Sequence, residues 1–328
     1  MTASADIGRR GGLIGRWAMR GLTALILCAV ALMLYRLFHR YSLEEVLASA
    51  ATVPGHRLAL AGGFAAASYA CLTLFDFLAL RAIGSPLPYR RAALASFVGL
   101  SIGHNVGFAA LSSGAIRYRF YSRWGLSPGD VARLILYCAM TVGLGLAGLG
   151  GLALLVRPDL AQEVTGLAPS TVAGLGVVCL TLPVGYLVAA AVVRRPLAIR
   201  QWSIELPAPR IAFGQVLIGP VNFACVAACL HQAIAGVADV AYPGVAAAYV
   251  IANVTSLVTH VPGGLGVIEG VVLFLLPGAD LIGALLVFRI VYYFVPLLIG
   301  SALFGLAELL PHGRGARPGA PALPTQKP

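Results

Sequence analysis

Two stretches of this chain combine reactive or binding residue types with a spacing that would let them act. In the C-terminal half, Val261-Pro262-Gly263-Gly264-Leu265-Gly266-Val267-Ile268-Glu269 sets a Pro-Gly-Gly and a carboxylate inside apolar sequence. Proline cannot donate a backbone hydrogen bond and glycine adopts conformations closed to other residues, so one helix ends there and another begins. The new helix starts with unpaired N–H groups and the positive end of its dipole, a receptor for a phosphate or carboxylate. The competing role is close helix packing, which is expected of Gly143, Gly145, Gly148 and Gly151. Glu269 lies about 7 to 8 Å along the helix from Gly264, and Arg289 falls at a similar depth in the last apolar segment. Either the two charges neutralise each other, or Glu269 takes a cationic headgroup while Arg289 holds its phosphate.

The second stretch is Leu111-Ser112-Ser113-Gly114-Ala115-Ile116-Arg117-Tyr118-Arg119-Phe120-Tyr121, preceded by Gly103-His104-Asn105-Val106-Gly107. Polar residues this dense in an apolar run imply a wet cavity, and Arg117 and Arg119 beside tyrosines suit phosphate. The alternative is an interfacial belt of Arg117, Arg119 and Arg123 with aromatic anchors. Ser113, His104, Asn105 and His260 join the candidate binding residues, although a buried histidine more often completes a local hydrogen-bond network. Asp76 is expected to pair with Arg81 or a neighbouring loop.

No nucleophile-and-base constellation, HExxH, Walker loop or GxGxxG is present, so no catalytic residue is assigned and a non-enzyme is expected. Cys225, Cys229 and His231 have a loosely metal-like spacing. Without a CxxC pair or a second cluster, packing is the better reading, and neither metal nor cofactor is expected.

These residues need elements to hold them, and the composition says which. The 328 residues are 59% hydrophobic and 11% charged, against about 25% charged in soluble domains. The chain therefore reads as an all-α polytopic membrane protein. Apolar segments run over about 21–38, 57–80, 92–112, 130–156, 171–193, 211–235, 244–276 and 281–308. The first is read as a retained signal anchor after a cytoplasmic segment 1–20, and residues 311–328 as a disordered cytoplasmic tail behind a single transmembrane domain, 21–310. The net charge of +11 is spread over short loops with no continuous stripe, which points to a membrane surface and away from nucleic acid.

An offset of 150 aligns Gly114 with Gly264 and Asp130 with Asp280, and the element order repeats, so repeats are expected over about 57–156 and 211–308. If all eight segments cross, the basic residues other than Arg289 divide evenly, 11 inside and 11 outside. If 92–126 and 244–276 instead dip in and return, 18 lie inside and only Arg36, Arg40, Arg57 and Arg157 outside. Six spanning helices with two re-entrant hairpins of opposite orientation, both termini cytoplasmic, is the expected arrangement. Inverted repeats with broken helices near the midplane form a transporter architecture.

The two stretches, together with Trp124-Gly125-Leu126-Ser127, resemble the transmembrane region of lysylphosphatidylglycerol synthases, the multiple peptide resistance factors, and the stand-alone UPF0104 membrane proteins. The resemblance implies a flippase-like domain that moves aminoacylated phosphatidylglycerol between leaflets. It also implies that Arg117, Arg119, Gly263, Gly264 and Glu269 belong to a lipid-handling cavity. No synthase domain follows Glu308, so synthase activity is not expected. The resulting expectation is a bacterial inner-membrane protein that binds or translocates an anionic, aminoacylated or related lipid headgroup. Ion-coupled export of a small polar solute and a non-transporting partner of lipid- or glycan-biosynthesis enzymes are the alternatives.

Overall fold

The computed structural model of the protein describes residues 43–106, 109–193, 197–199, 202–276 and 281–309, with isolated positions 21, 28 and 35. The expected signal anchor, the Pro277-Gly278-Ala279-Asp280 turn and the tail therefore lie almost wholly outside the described residues. A short helix α1 (Leu43–Thr52) leads into α2 (Gly55–Ala82), and then α3 (Tyr89–Val106) and α4 (Ala109–Arg123) follow. Next come α5 (Pro128–Val156), α6 (Pro158–Thr165) and α7 (Pro169–Val192). After β1 (Leu197–Ile199) and β2 (Trp202–Ile204) come α8 (Pro209–Ile234), α9 (Tyr242–Thr259), a single 3₁₀ turn Pro262–Gly264 and α10 (Val267–Leu275). The last helix, α11 (Ile282–Leu309), carries a π-helical stretch at Ile290–Phe294.

Six of the described helices are long and apolar enough to cross a bilayer: α2, α5, α7, α8, α9 and α11. Five of them, α2, α5, α7, α8 and α11, are among the expected spans, and the first expected span, 21–38, lies almost wholly outside the described residues. Here α9, with 18 residues and about 27 Å of rise, qualifies as a span by length, where the sequence assigns it to a hairpin limb. A second difference is the antiparallel pair β1 and β2, with Leu197 opposite Ile204 and Ala198 opposite Ser203, in a chain read as all helical. A two-stranded ribbon of three residues each is marginal on its own and adds no layer to the fold, and the protein remains an all-α polytopic membrane protein.

The centre of the bundle is the antiparallel pair α2 and α8. Contacts Arg57 to Gln232, Ser68 to Asn222 and Leu78 to Gly214 step in opposite directions along the two helices. Helix α5 packs on α8 through glycine: a Cβ on Gly145 would lie 2.6 Å from the Gly219 carbonyl carbon, and one on Gly148 2.8 Å from Pro220. Gly151 makes the equivalent contact with Gly176 of α7. Gly145, Gly148 and Gly151 thus let backbones touch where lipid offers no hydrophobic driving force. Gly143, grouped with them above, has nothing within 4 Å of a Cβ, because its residue faces away from both partners.

Helices α3 and α4 fold back on each other. A Cβ on Gly103 would sit 2.8 Å from that of Ser113, and one on Gly99 3.4 Å from the Arg117 Cγ. The second broken pair, α9 and α10, meets this hairpin at its tip, where Gly263 lies against the carbonyls of His104 and Asn105. The observed order is long helix, broken pair, long helix, twice over: α2, α3 with α4, α5, then α8, α9 with α10, α11. Helix α5 starts with a reciprocal cap, in which Asp130 N–H donates to Ser127 Oγ at 3.1 Å and Ser127 N–H to Asp130 Oδ2 at 3.0 Å. The π stretch of α11 precedes Pro296, which has no N–H for the Tyr292 carbonyl. The Tyr69 hydroxyl donates to that carbonyl at 3.3 Å, and Asn105 Nδ2 donates to the next one, Tyr293 O, at 3.2 Å. The carbonyl freed by Pro296 is thus satisfied from a neighbouring helix, as an apolar environment requires.

Candidate functional site

The site is built around the break between α9 and α10. Helix α9 stops at His260, whose φ of +54° makes it the one non-glycine residue in the left-handed region among those described. Gly263, Gly264 and Gly266 continue with φ of +61°, +59° and +81°, conformations that only glycine takes without strain. Such a turn leaves carbonyls without helical partners. Arg289 of α11 accepts that role: its NH1 donates to Gly263 O at 3.1 Å and its NH2 to Gly264 O at 2.9 Å.

The same guanidinium grips Glu269, with NH2 on Oε2 at 2.8 Å and Nε on Oε1, and lies 5.4 Å from the Tyr293 ring centroid. Depth explains the meeting. Arg289 is seven residues into α11 and Glu269 six residues from the end of α10, so both lie about 10 Å from the end that α10 and α11 share. The charges therefore pair, one of the two outcomes left open by the sequence. The start of α10 is also occupied: Gly266 N–H donates to Glu269 Oε2 at 2.8 Å, so the protein's own carboxylate sits where an external anion was expected. Arg289 is 2% exposed, whereas Glu269 keeps a quarter of its side chain accessible.

Asn105 and His104 lie beside this break through the tip of the α3 and α4 hairpin, and Asn105 is held by donation to Ser101 O at 2.8 Å. His260 stands exposed at the end of α9, with its Nδ1 2.9 Å from Val258 O. Gly263, Gly264, Glu269, Arg289, His104 and Asn105 form one group.

Arg117 and Ser113 form another. Arg117 donates from Nε to Asp76 Oδ2 at 2.9 Å, from NH2 to Asp76 Oδ1 at 2.7 Å and from NH1 to Ser113 Oγ at 3.0 Å. Tyr121 donates to Asp76 Oδ2 at 2.7 Å, and Cys138 adds a thiol 3.6 Å from Oδ1. Asp76 is fully buried and Arg117 nearly so. The expected partner of Asp76, Arg81, instead lies 4.3 Å above the Phe77 ring. Arg81 is near in sequence but its helical position faces elsewhere, whereas α4 brings Arg117 across from α2.

Arg119 belongs to neither group. Two residues on a helix point about 200° apart, so Arg119 faces away from Arg117. It donates to Glu308 Oε2 at 2.8 Å, and Arg123, one turn on, reaches Oε1 of the same carboxylate. The partners that sequence reasoning missed are Asp76, Tyr121 and Glu308. The signal for two of them is the i, i+4 spacing of Ser113, Arg117 and Tyr121 on one face, and of Arg119 and Arg123 on the other.

No family model matches the chain. It is 33% identical over 283 residues to the uncharacterized protein slr0712 of Synechocystis sp., covering 85% of this chain and 88% of that protein. It is 28% identical over 302 residues to the inner membrane protein YbhN of Escherichia coli, covering 89% and 94%.

Proposed function

This chain belongs to the membrane-protein family that holds slr0712 and YbhN, and from that premise we propose that it binds and translocates lipid in a bacterial inner membrane. The observation that carries this reading is the partly accessible Glu269 at a backbone break in apolar sequence, paired with a buried Arg289. An ionisable pair is costly at such depth, and one whose carboxylate stays accessible can meet a polar guest. A headgroup reaching the break would exchange with the pair: its phosphate takes up Arg289 N–H groups, and an amine takes Glu269. The acyl chains stay in the bilayer, so no enclosed cavity of lipid size is needed. The two broken pairs act as inverted re-entrant hairpins with both termini cytoplasmic, and the resemblance to flippase-like domains favours a phospholipid guest. The reading is non-enzymatic.

The test is redistribution of a labelled phospholipid in proteoliposomes. Glu269→Gln should reduce the rate at least tenfold at equal protein content, and an unchanged rate sinks the assignment. Ion-coupled export, with Glu269 carrying a proton, is the second reading. It predicts solute flux that follows a pH gradient and ignores lipid composition.

A further inference from the structure

A separate open pocket of about 480 Å³ lies at the surface where α2 and α9 begin and α8 ends, lined by Arg57, His231, Asp239 and the turn 235–241. Its polar groups are held in place by a chain of hydrogen bonds. Arg57 NH1 donates to Gln232 Oε1 at 2.9 Å, and Gln232 Nε2 lies 3.5 Å from His231 Nδ1. His231 Nε2 lies 3.0 Å from Val240 O. A carbonyl can only accept, so Nε2 carries the proton and Nδ1 accepts from Gln232. Tyr242 supports the ring edge-on at 5.7 Å and is itself anchored by donation to Ala224 O at 3.1 Å. The guanidinium, the imidazole and the turn are therefore preorganised.

The charges that line this cavity are unmatched. Nearby Arg157, which packs against Gly244 of α9, is already held by Asp159 at 2.6 Å. Arg57 has no carboxylate partner among the described residues, and Gln232 takes one of its five N–H groups. Asp239 is exposed and pairs with no cation among the described residues. The backbone N–H groups of Asp239, Val240 and Ala241 also donate to no acceptor among the described residues. Donors of this kind with an arginine suit an oxyanion, yet a bare anion would meet the Asp239 carboxylate. A bare amine would meet Arg57. A molecule carrying both charges answers both groups.

We propose that the cavity formed by Arg57, His231 and Asp239 binds a zwitterion, with its oxyanion on Arg57 and the turn amides and its ammonium on Asp239. A phosphoethanolamine group has this chemistry, whether it belongs to a lipid or to a soluble molecule. The site lies apart from Glu269 and Arg289 and does not depend on the translocation reading.

Isothermal titration of the full chain in maltoside detergent tests it with dihexanoyl phosphatidylethanolamine, dihexanoyl phosphatidylglycerol and free phosphoethanolamine. The ethanolamine lipid should bind at least tenfold tighter than the glycerol lipid. Asp239→Asn, on an exposed turn, should erase that preference by weakening the ethanolamine lipid alone. Arg57→Gln should weaken both lipids, and Arg57→Lys should restore part of the loss if the bond to Gln232 matters only for folding. Free phosphoethanolamine binding as tightly as the lipid supports the site with a soluble source, and much weaker binding supports it with a membrane source. Equal affinity for the two lipids, a preference that survives Asp239→Asn, or no heat from any of the three overturns the proposal. Repeated in a Glu269→Gln background, which removes the headgroup carboxylate of the translocation reading, the ethanolamine preference should persist and should still be erased by Asp239→Asn, so a failure at this cavity and a failure of the translocation reading are told apart.

Discussion

The Asp76–Arg117 and Glu269–Arg289 pairs use the same two functional groups and differ in what closes them off. Around Asp76 every contact is with a side chain: two guanidinium N–H groups, the Tyr121 hydroxyl and the Cys138 thiol, supplied by α4 and α5 around α2. Around Arg289 two of the donated hydrogen bonds go to backbone carbonyls of a left-handed turn, and its carboxylate partner remains a quarter exposed. The first arrangement is closed, since any new ligand would have to displace a fully desolvated pair. The second is open on one side, and its backbone acceptors belong to the turn between two helices. Location in an apolar segment alone does not separate a binding charge from a structural one. Access to the carboxylate does.

The largest expected effect comes from unbalancing the closed pair. Asp76→Ala leaves Arg117 buried at 3% exposure without its counter-charge, a change that costs about 3 to 5 kcal/mol. Unfolding of the purified protein in detergent should show it as a large loss of thermal stability. The double substitution Asp76→Leu with Arg117→Met should recover most of it, because removing both charges also removes the desolvation penalty. A single substitution as mild as Glu269→Gln would erase the distinction between the pairs.

Glu269→Gln comes next in stability and first in function. Arg289 would keep Gly263 O, Gly264 O and a neutral amide oxygen, so the cost should stay near the range of a lost charged hydrogen bond, about 1.5 to 3 kcal/mol. Lipid redistribution should nevertheless fall at least tenfold. A functional loss that scales only with the stability loss would place both pairs in the structural class.

How much of this is legible in the amino-acid order follows from which constraints are local. The helix break at Pro262-Gly263-Gly264 is local, since proline and glycine act through their own backbones, and the structure breaks there. The common depth of Glu269 and Arg289 is nearly local, because helical rise converts residue number into distance. The partner of Asp76 is not: Arg117 is 41 positions away, and only the folding of α4 against α2 chooses it over Arg81. Treating Arg117 and Arg119 as one phosphate clamp overlooked that a two-residue step on a helix turns to the opposite face. Occupation of the α10 start by Glu269 was readable in principle, because a carboxylate three residues past a cap position reaches back to the cap N–H.

The glycines of the break sharpen the comparison from the backbone side. Both Gly263→Ala and Gly264→Ala force an L residue into the left-handed region, at about 1 to 2 kcal/mol each. At Gly264 the new Cβ would also come within 2.7 Å of Ser256 Oγ and 2.8 Å of Ile268 Cδ1, whereas at Gly263 the nearest atom is His104 O at 3.4 Å. Thermal unfolding should therefore rank Gly264→Ala as clearly more damaging. The reverse order would mean that the contact with the α3 and α4 tip, and not the turn itself, holds the break.

The smallest effect is expected at the third ion cluster, where Arg119 and Arg123 share Glu308. These side chains retain about 15% exposure near the ends of α4 and α11, so their charged heads can reach the interfacial water when the carboxylate is lost. Glu308→Gln should cost less than Asp76→Ala, because an amide oxygen in place of the carboxylate can still accept from the arginines. What remains is repulsion between two arginines one helical turn apart, and that part is screened by salt. Melting temperatures of wild type and Glu308→Gln should therefore converge as ionic strength rises from about 0.01 to 1 M, while the deficit of Asp76→Ala persists. A salt-independent loss at Glu308 would move this cluster into the same closed class as Asp76 and Arg117, and would make α4 anchored on both faces.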